Sequence, residues 1–163
     1  MNAPLRSPIR FDIQVLIHAI KNNKSTDSFA PALTPAQWDL LAGYLQPFAL
    51  NKGDKLIEQG SVDRTLYLVE AGTLSVHYED AKGRLRLAMV ESGSAVGEGA
   101  FFSRLPRTAT VQAATPAKVW CLTSIRFGEL SNRQPAVALE MAMGLGSLVS
   151  RRLMNKPRRV AVT

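Results

Sequence analysis

Residues 96–111, Val96-Gly97-Glu98-Gly99-Ala100-Phe101-Phe102-Ser103-Arg104-Leu105-Pro106-Arg107-Thr108-Ala109-Thr110-Val111, gather the groups in this chain best suited to grip a ligand. Gly97 and Gly99 permit a tight turn and let a ligand approach the backbone closely. The N–H groups that open such a turn point outward and suit an anion. Pro106 ends the turn and sets Arg107 at the mouth of the following strand. The Arg107 guanidinium is a planar, permanently charged fork matched to two phosphate oxygens. Glu98 would repel a phosphate, so its carboxylate is better assigned to sugar hydroxyls, from which it accepts hydrogen bonds. A phosphate site beside a sugar site describes a nucleotide. The plainer alternative for the same residues is a surface turn with an Arg–Glu ion pair.

The stretch resembles the phosphate-binding cassette of the cyclic nucleotide-binding domain family. That pattern runs Gly-Glu, an apolar stretch, then Pro-Arg-(Ala/Ser/Thr)-Ala-Thr-Val, and Gly97, Glu98, Pro106, Arg107, Thr108, Ala109, Thr110 and Val111 fall in register with it. Two further segments, Leu56-Ile57-Glu58-Gln59-Gly60 and the run from Leu66 to Val76, are similar to the front half of the same roll. The resemblance therefore spans about residues 34–155, a sensor domain of catabolite-activator type without its helix-turn-helix module.

It implies these roles. Arg107 pairs with the exocyclic oxygens of a cyclic phosphate, helped by the backbone N–H groups of Gly99 and Ala100. Glu98 accepts from the ribose 2′-hydroxyl, and the Gly97 backbone lines the same wall. Thr108 donates to the phosphate; a threonine here is also associated with guanine, so cAMP and cGMP both stay open, with a tilt to cGMP. Base contacts would come from the last helix, with Ser147, Ser150 and Arg151 as candidates. Gly99 departs from the pattern, which usually has Leu, Met or Ile there, and this removes apolar contact from the pocket floor.

These residues need a scaffold, and the composition supplies one. A chain of 163 residues with 46% hydrophobic and 20% charged residues suits one globular domain. Its formal charge of +7 favours anionic ligands without specifying nucleic acid. Much of that charge lies at the ends, in Arg6, Arg10, Arg151, Arg152, Lys156, Arg158 and Arg159. Cys121 is the only cysteine, which excludes an intrachain disulfide and any cysteine-ligated cluster or structural zinc site. His18 and His77 have no partner at ligand spacing, so neither a metal nor catalysis is expected. No signal peptide opens the chain and its apolar helix is too short to span a bilayer, so a cytoplasmic protein with no membrane span is expected.

The texture changes along the chain. Ile9, Ile13, Leu16, Ile17 and Ile20 recur at helical spacing, within an N-terminal extension over 1–33. Thr34 as cap and Pro35 as first residue open a second helix. From Phe48, short β runs predicted at 48–50, 55–58, 65–70, 73–79, 85–90, 109–115 and 117–122 alternate with glycine turns. They make a mainly β fold with flanking helices, a double-sheet antiparallel roll of the double-stranded β-helix or jelly-roll type. Ser124 is predicted to cap a short helix, and Pro135 to start a longer one reaching about Leu153. Val137, Met141, Leu145, Leu148 and Arg152 form a near-heptad stripe on it, read first as core packing and second as the seam of a homodimer. Gly144 and Gly146 interrupt it as a hinge or a point of close approach.

The resemblance implies a cyclic nucleotide-binding domain over 34–155, followed by a basic tail expected at 156–163. With about ten residues after the long helix, direct DNA binding by this chain alone is not expected. The expected role is a stand-alone sensor that relays occupancy through its C-terminal helices to an unidentified protein partner. The rivals are an interaction scaffold of the same fold that binds no nucleotide, and a DNA-linked regulator acting with a partner.

Overall fold

The computed structural model describes residues 9–155. The terminus 1–8 and the basic tail 156–163 lie outside them. Helix α1 (Ile13–Asn22) opens at Asp12, whose carboxylate accepts from the Gln14 N–H, and buries Leu16, Ile17 and Ile20 on one face. Helix α2 (Pro35–Ala42) carries the expected start in full. The Thr34 hydroxyl accepts from the Gln37 N–H, and the Gln37 side chain accepts from the Thr34 N–H.

Eight short strands follow: β1 (Gln46–Leu50), β2 (Lys55–Ile57), β3 (Leu66–Ala71), β4 (Leu74–Glu79), β5 (Leu85–Val90), β6 (Ala95–Val96), β7 (Thr110–Ala113) and β8 (Ala117–Leu122). They form two antiparallel four-stranded sheets, ordered β1-β8-β3-β6 and β2-β7-β4-β5. The inward residues Val69, Leu74, Val76, Val96, Val111 and Val119 fill the space between the sheets. A second core lies between the first sheet and the helices, built on Phe29, Trp38, Leu66, Leu68, Met141, Leu145 and Leu148. This is the expected jelly roll with helices on one side.

Between β6 and β7 lies the six-residue helix α3 (Glu98–Ser103). Helix α4 (Ser124–Arg133) is capped by Thr123 rather than Ser124, because the Thr123 hydroxyl is the one that meets the Arg126 N–H. Helix α5 (Pro135–Met154) runs on to the end of the described chain. The stripe Val137, Met141, Leu145, Leu148 and Arg152 is buried throughout, so it packs the core of the same molecule and cannot be a seam between copies. Leu139, Met143 and Leu153 lie on the exposed side of the helix.

Candidate functional site: the turn 97–107 and the arginines that lock it

Gly97 caps α3 in the left-handed region, at φ 87°. A Cβ there would sit 2.7 Å from the Thr65 carbonyl and 2.8 Å from Arg107 Nη1, so glycine is required by both conformation and space. Two buried charges flank this point: Arg107 is 2% exposed and Glu98 0%. The Arg107 Nη1–H donates to the Gly97 carbonyl at 2.9 Å, which places the fork against the residue beside the acid.

Four of the five Arg107 N–H donors are committed to the protein itself. Nε and Nη2 form a bidentate pair with the Asp63 carboxylate, Nη2 also donates to the Thr65 carbonyl at 2.7 Å, and Nη1 is on Gly97. The hydrogen bond from Arg107 holds the Asp63 carboxyl below the usual carboxylate range, against the opposing effect of burial. The Asp63 side chain is 43% exposed and the Arg107 side chain 1%, so the carboxylate is the wet partner of the pair. A phosphate that takes two donors must displace at least one of these acceptors.

Glu98 is also engaged. Arg152 Nη1 donates to its Oε1 at 2.5 Å, and the rest of the guanidinium reaches Asp27, Ser94 Oγ and the Ala95 carbonyl. Burial disfavours the charge on Arg152, yet Glu98 and Asp27 outweigh it and raise the pKa of the guanidinium. The next residue, Arg151, donates to the Thr26 and Ser28 carbonyls at 2.6 and 2.9 Å. The last turn of α5 is thereby tied at once to the 97–107 turn and to the loop between α1 and α2.

The predicted site residues divide accordingly. Gly97, Glu98, Gly99, Ala100 and Arg107 share one turn, with Gly99 half-buried and Thr108 exposed next to Arg107. Ser147 and Ser150 lie exposed on α5, and Arg151 is turned to the N-terminal loop. The residue of α5 that touches the acid is Arg152. Sequence reasoning named it as one of the basic residues near the C-terminal end and as the last member of an apolar stripe, and its one signal of a site role was a charge where a buried aliphatic belongs. Asp63 and Asp27, 44 and 125 residues from their arginines, carried no local signal. Among the described residues no group of three His, Cys, Asp or Glu side chains could hold a metal ion, and no helix is long and apolar enough to cross a membrane.

A double-sheet roll with a Gly-Glu turn and an inward arginine defines a class. Residues 47–134, more than half of the chain, match the family model of the cyclic nucleotide-binding domain. The chain belongs to that family. In structure it is similar to a cyclic nucleotide-binding domain from Methylobacillus flagellatus, with a TM-score of 0.78 at 19% identity over 91% of this chain and 85% of the other. In sequence it is 28% identical over 133 residues to a cGMP-dependent protein kinase of Plasmodium berghei, covering 79% of this chain and 15% of the kinase. It is 36% identical over 92 residues to the acetyltransferase Pat of Mycolicibacterium smegmatis, covering 56% of this chain and 28% of that enzyme. The chain thus spans less than a third of the curated relatives it matches.

Proposed function

We propose that the chain binds a purine 3′,5′-cyclic nucleotide, cAMP or cGMP, and that occupancy acts on a partner protein through α4 and α5. The observation that carries this reading is the 2.9 Å contact between Arg107 Nη1 and the Gly97 carbonyl. It holds the charged fork against the residue that precedes the acid, which supports reading the two as partners for one ligand that carries both a phosphate and a sugar hydroxyl. Arg107 takes the exocyclic phosphate oxygens, with the Gly99 and Ala100 amides and Thr108 beside it, and Glu98 takes the 2′-hydroxyl.

Binding is then an exchange. The phosphate replaces Asp63 at the fork, and the 2′-hydroxyl shares Glu98 with Arg152. The wet carboxylate regains hydration as it leaves, so this exchange costs less than baring Arg107 would. The domain itself senses and does not catalyse. A second copy of the chain fits the exposed Leu139–Met143–Leu153 side of α5 as an alternative recipient of the signal.

Titration with cAMP and with cGMP, in parallel on the parent and on Arg107→Ala, tests the reading. Micromolar binding by the parent and its loss in the variant are expected. Absence of binding of either nucleotide to the parent would leave a scaffold of the same fold, with Asp63 as a permanent occupant of the fork.

A further inference from the structure

The structure assigns a second binding site, for a guanidinium group carried on an alkyl stem, to the cleft beside α1, with Glu70 as its anchor. This cleft shares no residue with the turn at 97–107, so the inference does not depend on the nucleotide reading.

Leu66 and Leu68 of β3 lie in the core beneath the helices, and the alternation of a strand turns residue 70 to the same side. Where a third aliphatic is expected stands Glu70, only 4% exposed. β3 is irregular at this point. Val69 pairs with Val119 and Ala71 with Lys118, which makes Glu70 the extra residue of a bulge, a feature that re-aims a side chain. One carboxylate oxygen, Oε1, accepts from Trp120 Nε1–H at 2.9 Å. Among the described residues the other oxygen accepts no hydrogen bond, and no cation pairs with the group. A buried carboxylate held by one neutral donor is a costly arrangement, and a cation beside it relieves the cost.

Glu70 lines a cleft of about 540 Å³, in the volume range of small-molecule sites. Glu91 lines it too and adds a second carboxylate. Val15 and Ala19 of α1 offer aliphatic surface on which a stem can lie. The basic residues of the cleft do not serve Glu70: Lys24 makes no ion pair, and His18 Nε2 is engaged by Asn22 Nδ2 at 2.8 Å. A guanidinium keeps its charge when buried, is weakly hydrated and has donors enough for both acids, which favours it over an ammonium. The chain as a whole carries +7, so only these local carboxylates draw a cation to the cleft.

The test is titration of the full chain with two guanidinium compounds, each beside its neutral urea counterpart. Butylguanidine against butylurea represents a free small molecule, and Nα-acetyl-arginine amide against Nα-acetyl-citrulline amide represents a side chain offered by a partner protein. The indole N–H resonance of Trp120, distinguished from that of Trp38 by a Trp38→Phe variant, reports the site because its proton lies in the bond to Glu70. A saturable shift with one or both guanidinium compounds is expected, and whichever binds more tightly indicates the source. The urea counterparts should bind about tenfold or more weakly. Glu70→Gln keeps an acceptor for Trp120 and should weaken binding by the same factor. Val15→Arg, at a half-exposed position on the rim, supplies the guanidinium from within the chain and should compete likewise, with cyclic nucleotide affinity unchanged in both variants. No shift in the parent, equal affinity for a guanidinium compound and its urea, or parent-like binding by both variants would overturn the site. Failure of cAMP and cGMP to bind would leave it standing.

Discussion

Glu98 and Arg152 meet at 2.5 Å with side chains 0% and 2% exposed, a charge pair shut away from water. Burying two charges costs several kcal/mol for each, and their mutual attraction restores this only when their remaining hydrogen-bonding groups are satisfied. Here Asp27, Ser94 and the Ala95 carbonyl complete the set around the guanidinium. The pair therefore joins three parts of the chain that are distant in sequence: the turn at 97–107, the last turn of α5 and the loop at 26–28.

Removing one partner should be severe. Arg152→Met leaves Glu98 buried without its counter-charge and is expected to destabilise the fold by about 3–5 kcal/mol. Adding Glu98→Gln to that variant removes the stranded charge, so the double variant should lose clearly less than the sum of the two singles. Urea unfolding midpoints of the four proteins, read at constant m-value, check the coupling. Additive losses would mean that the two groups do not act as a pair.

The Asp63–Arg107 pair differs because its acid is wet. Asp63→Asn keeps the shape but withdraws the charge, so the unliganded protein should melt at a lower temperature while nucleotide binds more tightly. The sign with pH follows from the lowered carboxyl of Asp63. Its contribution to stability is fully present above the unfolded value of about 3.9 and is lost as pH falls below that through the folded value. Melting curves at pH 3–7 with and without nucleotide should show parent and variant converging at the acid end. A variant with parent-like affinity would show that Asp63 does not compete for the fork.

How much of this was legible in the sequence follows from how far apart the partners lie. The roll, the cap at Thr34 and the cassette from Gly97 to Val111 are local patterns, readable from glycine spacing, alternation and the Pro-Arg pair. Strand β6 was missed because two residues, Ala95 and Val96, are too few to show alternation, and only their pairing with Tyr67 and Leu68 makes them a strand. Ser124 was preferred to Thr123 as a cap because adjacent hydroxyl residues are indistinguishable by type. Asp63, Asp27 and the true role of Arg152 depend on side chains meeting across the fold, and a single sequence carries no record of such meetings.

The two glycines of α5 looked alike in the sequence, and the structure separates them. A Cβ on Gly146 meets nothing within 4 Å, whereas one on Gly144 lies 3.1 Å from Phe29 Cε2 and from Pro31 Cα. Gly146→Ala should stabilise the protein by about 1 kcal/mol through helix propensity. Gly144→Ala gains the same propensity but is crowded by the N-terminal loop, a cost of about 1–3 kcal/mol, so it should be neutral or destabilising. Thermal melting of the two variants side by side decides it; equal stabilisation would show that the loop does not press on α5 at Gly144.

Occupancy can reach α4 and α5 only if the ligand prefers one arrangement of these helices over another. Two physical contacts offer the route. Phe101 of α3 packs edge-on against Phe127 of α4, with ring centroids 5.1 Å apart, and Arg152 of α5 holds Glu98 directly. Phe102 and Leu105, which sequence reasoning grouped with Phe101, are 45% and 64% exposed, so the packed route runs through Phe101. When the 2′-hydroxyl shares Glu98, the hold of Arg152 on the turn weakens, and amides in the last turns of α5 should exchange faster. Those of α3 should slow as its first turn closes on the phosphate. Hydrogen exchange followed by mass spectrometry, with saturating cAMP or cGMP and without, measures both. Phe101→Ala should abolish the change in α4 but keep that in α5, because the second contact does not pass through the ring. Identical exchange across 124–155 with and without bound nucleotide would remove the helices from the signalling route and leave the turn itself as the surface that a partner reads.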